Sequence, residues 1–355
     1  MKTMLTPPWE LKRKLIVKAE EETDQRYGCK PAERPINDYI RFGVINLDKP
    51  AGPSSHEVTA WVKRLLSLGH AGHGGTLDPK VTGVLPVTLE EATKTVQALL
   101  VSGKEYVCVM RLHNSAPKVK VQAVLNEFQG EIYQRPPVRS SVKRRVRTRK
   151  IYKIDFLEAA EKNVLFNVAC EAGTYIRKLC FDIGEVLGVG AHMQELRRTR
   201  AGPFTEAENM VTLHDIAYLQ AKWQETKDEA YVRRFIQPME KILDIVPKIF
   251  IRDSAVDALC HGANLAAPGV LSLETGIQQN DAVAVMTQKG EAVALASALA
   301  STQDVLKLNH GLVAKTQRVL MPRGVYPKLW QKKPKPLHLT NAKIHNTTFS
   351  NKKQD

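Results

Sequence analysis

The chain has 355 residues, length for two or three domains and for a core that needs neither disulfides nor a structural metal. Apolar residues make up 43% and charged residues 25%, the proportions of a folded chain, which excludes global disorder. The net charge of +15 is concentrated in Arg135–Lys150, with eight basic residues and no acid, and in Lys328–Asp355, with seven lysines and one acid. Basic charge confined to two segments points to a polyanion partner. Five cysteines, an odd count with no C-x-x-C pair, support neither a disulfide framework nor a metal site. The charged, proline-broken stretch from Met1 to Gly28 has no apolar signal core, and no run of 18 apolar residues occurs. The expectation is a reduced, cytoplasmic protein with no membrane span.

The first forty residues read as an extension ahead of the main fold. Phe42–Leu47 reads as a short buried strand, stopped by Pro50 and Pro53. A helix follows, with Ser54 and Glu57 placed for a capping box, an apolar stripe of Val58, Trp61, Val62 and Leu65, and Gly69 as its stop. Gly72–Gly83 reads as a loop and Val84–Val87 as a buried run. Thr88 with Glu91 suggests a second capping box, opening a helix with Ala92, Val96 and Leu99 inward. Lys104–Leu112 alternates as a strand, with Tyr106, Cys108, Met110 and Leu112 on one face.

Leu125–Tyr133 gives no clear signal. The basic run Arg135–Lys150, with Pro136-Pro137 and Ser140-Ser141, suits a projecting loop or hairpin. Val164–Cys170 reads as a strand. Thr174 is the expected N-cap of a helix bearing Ile176, Leu179, Cys180, Ile183 and Leu187 on one face and ending at Gly188. The texture changes near Pro238–Pro247. Beyond it come a short helix stopped by Gly262, a Pro268-Gly269 turn, and two strands flanking Gln288-Lys289-Gly290, a hairpin signal. This reads as a separate, mostly β domain, followed by a basic tail without periodicity.

Three places carry chemistry. His70–Val87 (HAGHGGTLDPKVTGVLPV) holds four glycines and Asp78, which Pro79 biases towards an extended backbone, able to project from a rigid loop. The bland alternative is an ordinary Asp-Pro turn. The loop lacks the endings of a phosphate cradle, and His70 and His73 have no further ligand pair at metal-binding spacing. Arg177 falls in the first turn of its helix, where the dipole disfavours a cation, so it calls for a nearby anion or is a surface arginine at negligible cost. Tyr106 is an inward strand residue, most simply core. Arg197, Arg198 and Arg200 form a short basic cluster, either a solvated face or a phosphate contact.

LDKPAGPSSHEV, GHGGTLDPKVTGVLPV, KEYV, AGTYIRKL and LRRTRAGPF, in this order over about 160 residues, resemble the TruB-type pseudouridine synthases. The wording CEAGTYIRKLCFDIGE, the long N-terminal extension and the larger C-terminal domain resemble the archaeal dyskerin-like branch, the catalytic subunits of box H/ACA ribonucleoproteins. The resemblance implies an α+β fold, with a mixed, mainly antiparallel sheet and flanking helices, plus a small mostly-β PUA domain. The boundaries it suggests are an extension at 1–40 packed on the PUA domain, a catalytic domain at 41–240 with a basic thumb loop at 135–150, the PUA domain at 248–327, and a basic tail at 328–355. Residues from Gln331 onward match nothing in the family.

By the same resemblance Asp78 is the catalytic aspartate, Tyr106 stacks on the target base, Arg177 pairs with the aspartate, and Tyr175 and Leu196 line the pocket. His56, Arg139, Lys143, Arg144, Arg145, Arg147, Arg197 and Arg198 are the expected RNA contacts. No cofactor and no metal are implied. The implied partners are a box H/ACA guide RNA, rRNA and tRNA substrates, a small zinc-bearing protein, a glycine-arginine-rich-type protein and a kink-turn binder. A stand-alone tRNA synthase is the alternative within enzymes, and a non-catalytic RNA scaffold the alternative outside them.

Overall fold

A computed structural model describes residues 5–136 and 145–328. Two sheets organise them. In the larger, the main path runs Met210–Val211, Gly43–Lys49, Thr82–Leu89, Ala191–Ala201, Lys104–Leu112, Asn163–Cys170, Arg147–Ala160 and Gly130–Gln134. Gly43–Lys49 with Met210–Val211, and Thr82–Leu89 with Ala191–Ala201, pair in parallel, and the other ladders of this path are antiparallel. The smaller sheet runs Leu15–Val17, Val270–Glu274, Lys248–Ile251, Ala282–Thr287, Ala292–Ala298, Leu312–Val319 and Leu265–Ala266. Helices pack on the sheets, so the expected α+β architecture with a second, mostly-β domain is the one observed.

Local signals account for the elements that frame the site. The helix Ser55–Leu65 starts at the expected capping box: the Glu57 amide donates to Ser54 Oγ (3.2 Å) and the Ser54 amide to Glu57 Oε2 (2.7 Å). Val58 and Val62 pack against Ile45, Leu47, Leu85 and Val87 of the sheet. The helix Ile176–Leu187 buries Leu179, Cys180, Ile183 and Leu187 against Cys108 and Met110, and Gly188 closes it in the left-handed conformation (φ +76°). The pattern Lys104–Leu112 is one strand with alternate residues buried, as period-2 reading requires.

Two local expectations fail. Thr88 and Glu91 form no capping box. Thr88 stays inside the strand Thr82–Leu89, its hydroxyl donating to Gly72 O (3.3 Å), and a 3-10 turn Glu90–Thr95 precedes the helix Val96–Val101. Sheet pairing on both sides outweighs a cap that could serve only a short helix. Thr174 does not cap its helix either. It bonds back to Glu171 O (2.7 Å), and Tyr175 takes the N-cap position without a side-chain cap. The unclear stretch Leu125–Tyr133 divides into the end of a helix Lys118–Glu127 and a strand Gly130–Gln134. That strand pairs with Arg147–Ile151, so the basic run leaves the sheet at Gln134 and re-enters opposite it at Arg147. Arg139, Lys143 and Arg144 lie outside the described residues, as does the tail from residue 329.

The N-terminal segment touches both sheets. Leu15–Val17 adds an antiparallel strand to Val270–Glu274. Trp9 stacks edge-on to Tyr152 (6.1 Å between centroids) and lies under the Arg200 guanidinium (5.1 Å). Arg34 forms a two-pronged bridge to Glu240 (2.9 and 2.6 Å), both side chains about nine-tenths buried, and Glu240 Oε1 also accepts the Ala292 amide (3.0 Å). One carboxylate therefore ties the extension, the 3-10 turn Met239–Ile245 and the smaller sheet together. The apolar cluster of Phe42, Val84, Leu99, Phe204, Met239 and Met286 continues between the two sheets.

Candidate active site

Asp78 rides on a loop anchored by the buried side chains of Leu77 and Val81 and by bonds to its backbone. Ser55 Oγ donates to Leu77 O (3.1 Å) and accepts the Leu77 amide (2.8 Å). Lys49, fully buried, donates to Pro50 O (2.8 Å), Pro79 O (3.0 Å) and Val81 O (2.9 Å). The Gly52 amide bonds Pro79 O (2.9 Å), and Val81 N bonds Asp78 O (2.9 Å). Every neighbour of Asp78 is fixed while its carboxylate stands about half exposed. Its partner is Arg177: Nε lies 3.1 Å from Oδ2 and Nη2 3.5 Å from Oδ1. The anion that the first-turn arginine calls for is thus Asp78, on a distant loop.

The Arg177 helix is aimed by a residue that the sequence reading missed. Gln134, 2% exposed, accepts the Tyr175 amide through Oε1 (3.0 Å) and donates from Nε2 to Tyr175 O (3.2 Å). The clamp takes the place of a cap at the helix start. A glutamine at the inward end of a short strand gave only a faint signal in the sequence.

Tyr106 lies on the neighbouring strand, directly opposite Arg198. Burial pushes its phenol up, an effect opposed by the Arg198 guanidinium beside it. Leu196 is opposite Cys108, two positions along the same ladder, and packs half-buried on the core. The fold thereby brings Asp78, Arg177, Tyr175, Tyr106 and Leu196 onto adjoining elements from four separate parts of the chain.

The expected RNA contacts separate into two groups. His56 and Arg145 are exposed, and Arg147 begins the strand on the far side of the basic run. His56 stacks edge-on to His73 (4.8 Å), and the two line a cavity of about 320 Å³ with Lys63. Burial, with His56 and Arg198 nearby, pulls His73 down to about 4, so it is neutral at physiological pH. Arg198 must be corrected: it is 1% exposed, with Nε on Val84 O (2.7 Å) and Nη2 on Gly75 O (3.1 Å), so no phosphate can reach it. Arg197 is held by Asp48 at 3.0 Å through both terminal nitrogens and by Glu206, which ties the strand to its neighbours and leaves its charge neutralised. Lys104 was also missed. It is 5% exposed, its ammonium on Leu99 O and Ser102 O (both 2.6 Å), and burial pulls it down to about 7. A lysine on the inward face of an alternating strand was the available signal.

Four family models cover this frame. Residues 63–176 match the TruB family pseudouridylate synthase N-terminal domain, and residues 177–244 the tRNA pseudouridylate synthase B C-terminal domain. The DKCLD domain matches residues 6–59 and the PUA domain residues 247–320. A curated relative from Methanopyrus kandleri, "Probable tRNA pseudouridine synthase B", is 60% identical over 323 residues, covering 91% of this chain and 95% of its own. Its namesake from Thermococcus kodakarensis is 58% identical, covering 92% and 97%. A solved structure described as "Crystal Structure of a Cbf5-Nop10-Gar1 Complex" superposes with a TM-score of 0.89 at 54% identity, over 92% of this chain and all of the other. Another, "Structure of H/ACA RNP bound to a substrate RNA containing 2'-deoxyuridine", gives 0.87 at 53% identity, over the same shares. The chain belongs to the TruB family and is a pseudouridine synthase. Among the described residues no helix is long and apolar enough to cross a membrane.

Proposed function

We propose that this synthase converts specific uridines to pseudouridine in rRNA, selected by a box H/ACA guide RNA, and also the T-loop uridine of tRNA, with Asp78 as the catalytic carboxylate. The observation that carries the site is the Asp78–Arg177 pair, an exposed carboxylate on an otherwise immobilised loop, held by a first-turn arginine 3.1 Å away. The target uridine leaves its stack, at a cost of a few kcal/mol, and Tyr106 offsets part of this by stacking on the base. Asp78 either attacks C1′ or takes the C2′ proton to give a glycal. In both routes the C1′–N1 bond breaks, the uracil turns, C5 bonds to C1′ and then loses its proton while N1 gains one; in the glycal route C2′ also regains its proton. Arg177 favours the ionised carboxylate that either route needs. The reaction is an isomerisation with no net redox change and no group lost, so it calls for no cofactor. Tyr175 and Leu196 line the pocket.

The basic run, including Arg139, Lys143, Arg144, Arg145 and Arg147, clamps RNA phosphates. The guide RNA and the partner proteins belong to the same reading: a small zinc-bearing subunit, a glycine-arginine-rich-type subunit and a kink-turn binder. It is supported by the likeness to structures described as Cbf5-Nop10-Gar1 and as an H/ACA particle bound to substrate RNA. The test is pseudouridine formation by purified protein on a target RNA and on tRNA, with and without a matching guide and the partner proteins. Turnover of the target RNA only with guide and partners supports the guided enzyme. Turnover of tRNA by the protein alone adds the second substrate. Absence of turnover in every arm would overturn the proposal.

A further inference from the structure

Arg198 is an unusual arginine. It is 1% exposed, and among the described residues no carboxylate pairs with it. A buried guanidinium without a counter-ion is costly unless its N–H groups are used by the fold. Here they are used on two parts of the site. Nε and Nη2 take the carbonyls of Val84 and Gly75, at 2.7 and 3.1 Å, and Gly75 opens the loop that carries Asp78. Tyr106 stands directly opposite Arg198 in the ladder, so its ring lies on the same face of the sheet as the guanidinium.

The backbone is specialised to permit this. Along the ladder, Glu105 faces Arg200 and Tyr106 faces Arg198, so the Ala191–Ala201 strand carries one extra residue, Thr199. Without that bulge Arg198 would point to the same side as Arg200, which pairs with Glu105 (3.3 Å). The bulge turns it onto the Tyr106 side, a known use of such irregularities beside active sites. Gly83 lies against it at φ +101°, where a Cβ would come within 2.2 Å of Arg198 O. Gly75 adopts φ +125°, a conformation side chains rarely adopt, with the Arg198 Nη1 and Lys104 Cε atoms just beyond it. A bulge and two left-handed glycines together bring one guanidinium into place.

We infer that Arg198 is a positioning residue for the isomerisation, fixing the stacking ring of Tyr106 to the Gly75–Asp78 loop so that base and carboxylate meet in one geometry. This rests on the proposed roles of Asp78 and Tyr106. The planar fork spans carbonyl and phenol at once. A lysine places its three donors on one compact nitrogen and cannot reproduce the spread of the fork. Loss of that link leaves RNA affinity in place and lowers the chemical step, since a misplacement of about 1 Å can cost on the order of 100-fold in rate.

The test is the single-turnover rate of pseudouridine formation, with RNA affinity and melting temperature measured on the same preparations. The variants are Arg198→Lys, Tyr106→Phe, the double variant and Asp78→Asn. Arg198→Lys is expected to lower the rate by roughly 10- to 100-fold, with affinity within about twofold of the parent. Tyr106→Phe, which removes only the hydroxyl, is expected to lose roughly tenfold, and the double variant little more than Arg198→Lys alone, because both cut one link. A folded Arg198→Lys with a rate within about twofold of the parent, or losses that multiply in the double variant, overturns the inference. Should the lysine variant fail to fold, Tyr106→Phe decides alone: an unchanged rate overturns it. Asp78→Asn separates the two levels. If it is inactive while Arg198→Lys is normal, only the positioning role fails; if it is active, the assignment of the site itself fails.

Discussion

Arg177 Nε meets Asp78 Oδ2 at 3.1 Å although the two residues are 99 positions apart, and neither side chain is buried. An exposed pair of this kind contributes on the order of 0–1 kcal/mol to stability, so its placement on a rigidly held loop calls for a chemical explanation.

Asp78→Asn should therefore leave the fold nearly unchanged, with a melting temperature within a few degrees of the parent, and lower turnover by at least about 10²- to 10⁴-fold. RNA binding should change by less than about twofold. Single-turnover assays beside filter binding and thermal melting check this. A variant that turns over normally would remove Asp78 from the chemistry.

Neutralising Arg139, Arg144 and Arg145 should weaken binding to RNAs of any sequence and flatten the dependence of log K on log[salt], by about one unit of slope for each phosphate that is no longer neutralised. Titrations between about 50 and 200 mM salt give the slope. An unaltered slope would mean that the basic run does not lie on phosphate in the complex.

Gln134→Ala should free the Tyr175 amide and remove one donor from the Tyr175 carbonyl, which keeps the Lys178 and Leu179 amides. Loss of two part-buried hydrogen bonds costs about 1–3 kcal/mol, and the damage should be local. Amide exchange at Tyr175–Leu179 should accelerate while the core strands stay protected. Turnover should fall because Arg177 sits in that first turn. Unchanged exchange at Tyr175 would show that the helix start is held by other means.

Lys104 gives a pH signature. In the folded chain it titrates near 7, from an ordinary value of 10.5, because it is buried, with the Arg198 charge adding repulsion. Between these two values the unfolded chain holds a proton that the folded chain lacks, so this group makes stability rise with pH across the window. Below about pH 7 both states are protonated and the dependence ends. Urea unfolding at about pH 7.5 and 9.5 should show Lys104→Met losing a pH-dependent increment of up to about 1.4 kcal/mol per unit. Equal pH slopes in the two proteins would contradict a depressed lysine.

How much of this was legible follows from the range of the signals. The Ser54–Glu57 box, the stripe of the Ile176–Leu187 helix and the alternation of Lys104–Leu112 each depend on neighbours within a few residues, and the sequence alone determined them. The motifs likewise pointed to the family on their own order and wording. Thr88 misled because its local cap competed with a strand whose partners, Val44 and Gly72, are 44 and 16 positions away.

Tertiary structure alone decided the rest. The burial of a lysine at 49, a lysine at 104 and an arginine at 198 follows only from closure of the sheet, which supplies the carbonyls that solvate them. One extra residue at Thr199 reverses the side on which Arg198 lies, and that bulge exists only in register with Glu105 and Tyr106. Local hydrogen bonding and periodicity are written along a chain, whereas the partner of a buried charge is chosen by strand register, which is settled only when the whole sheet forms.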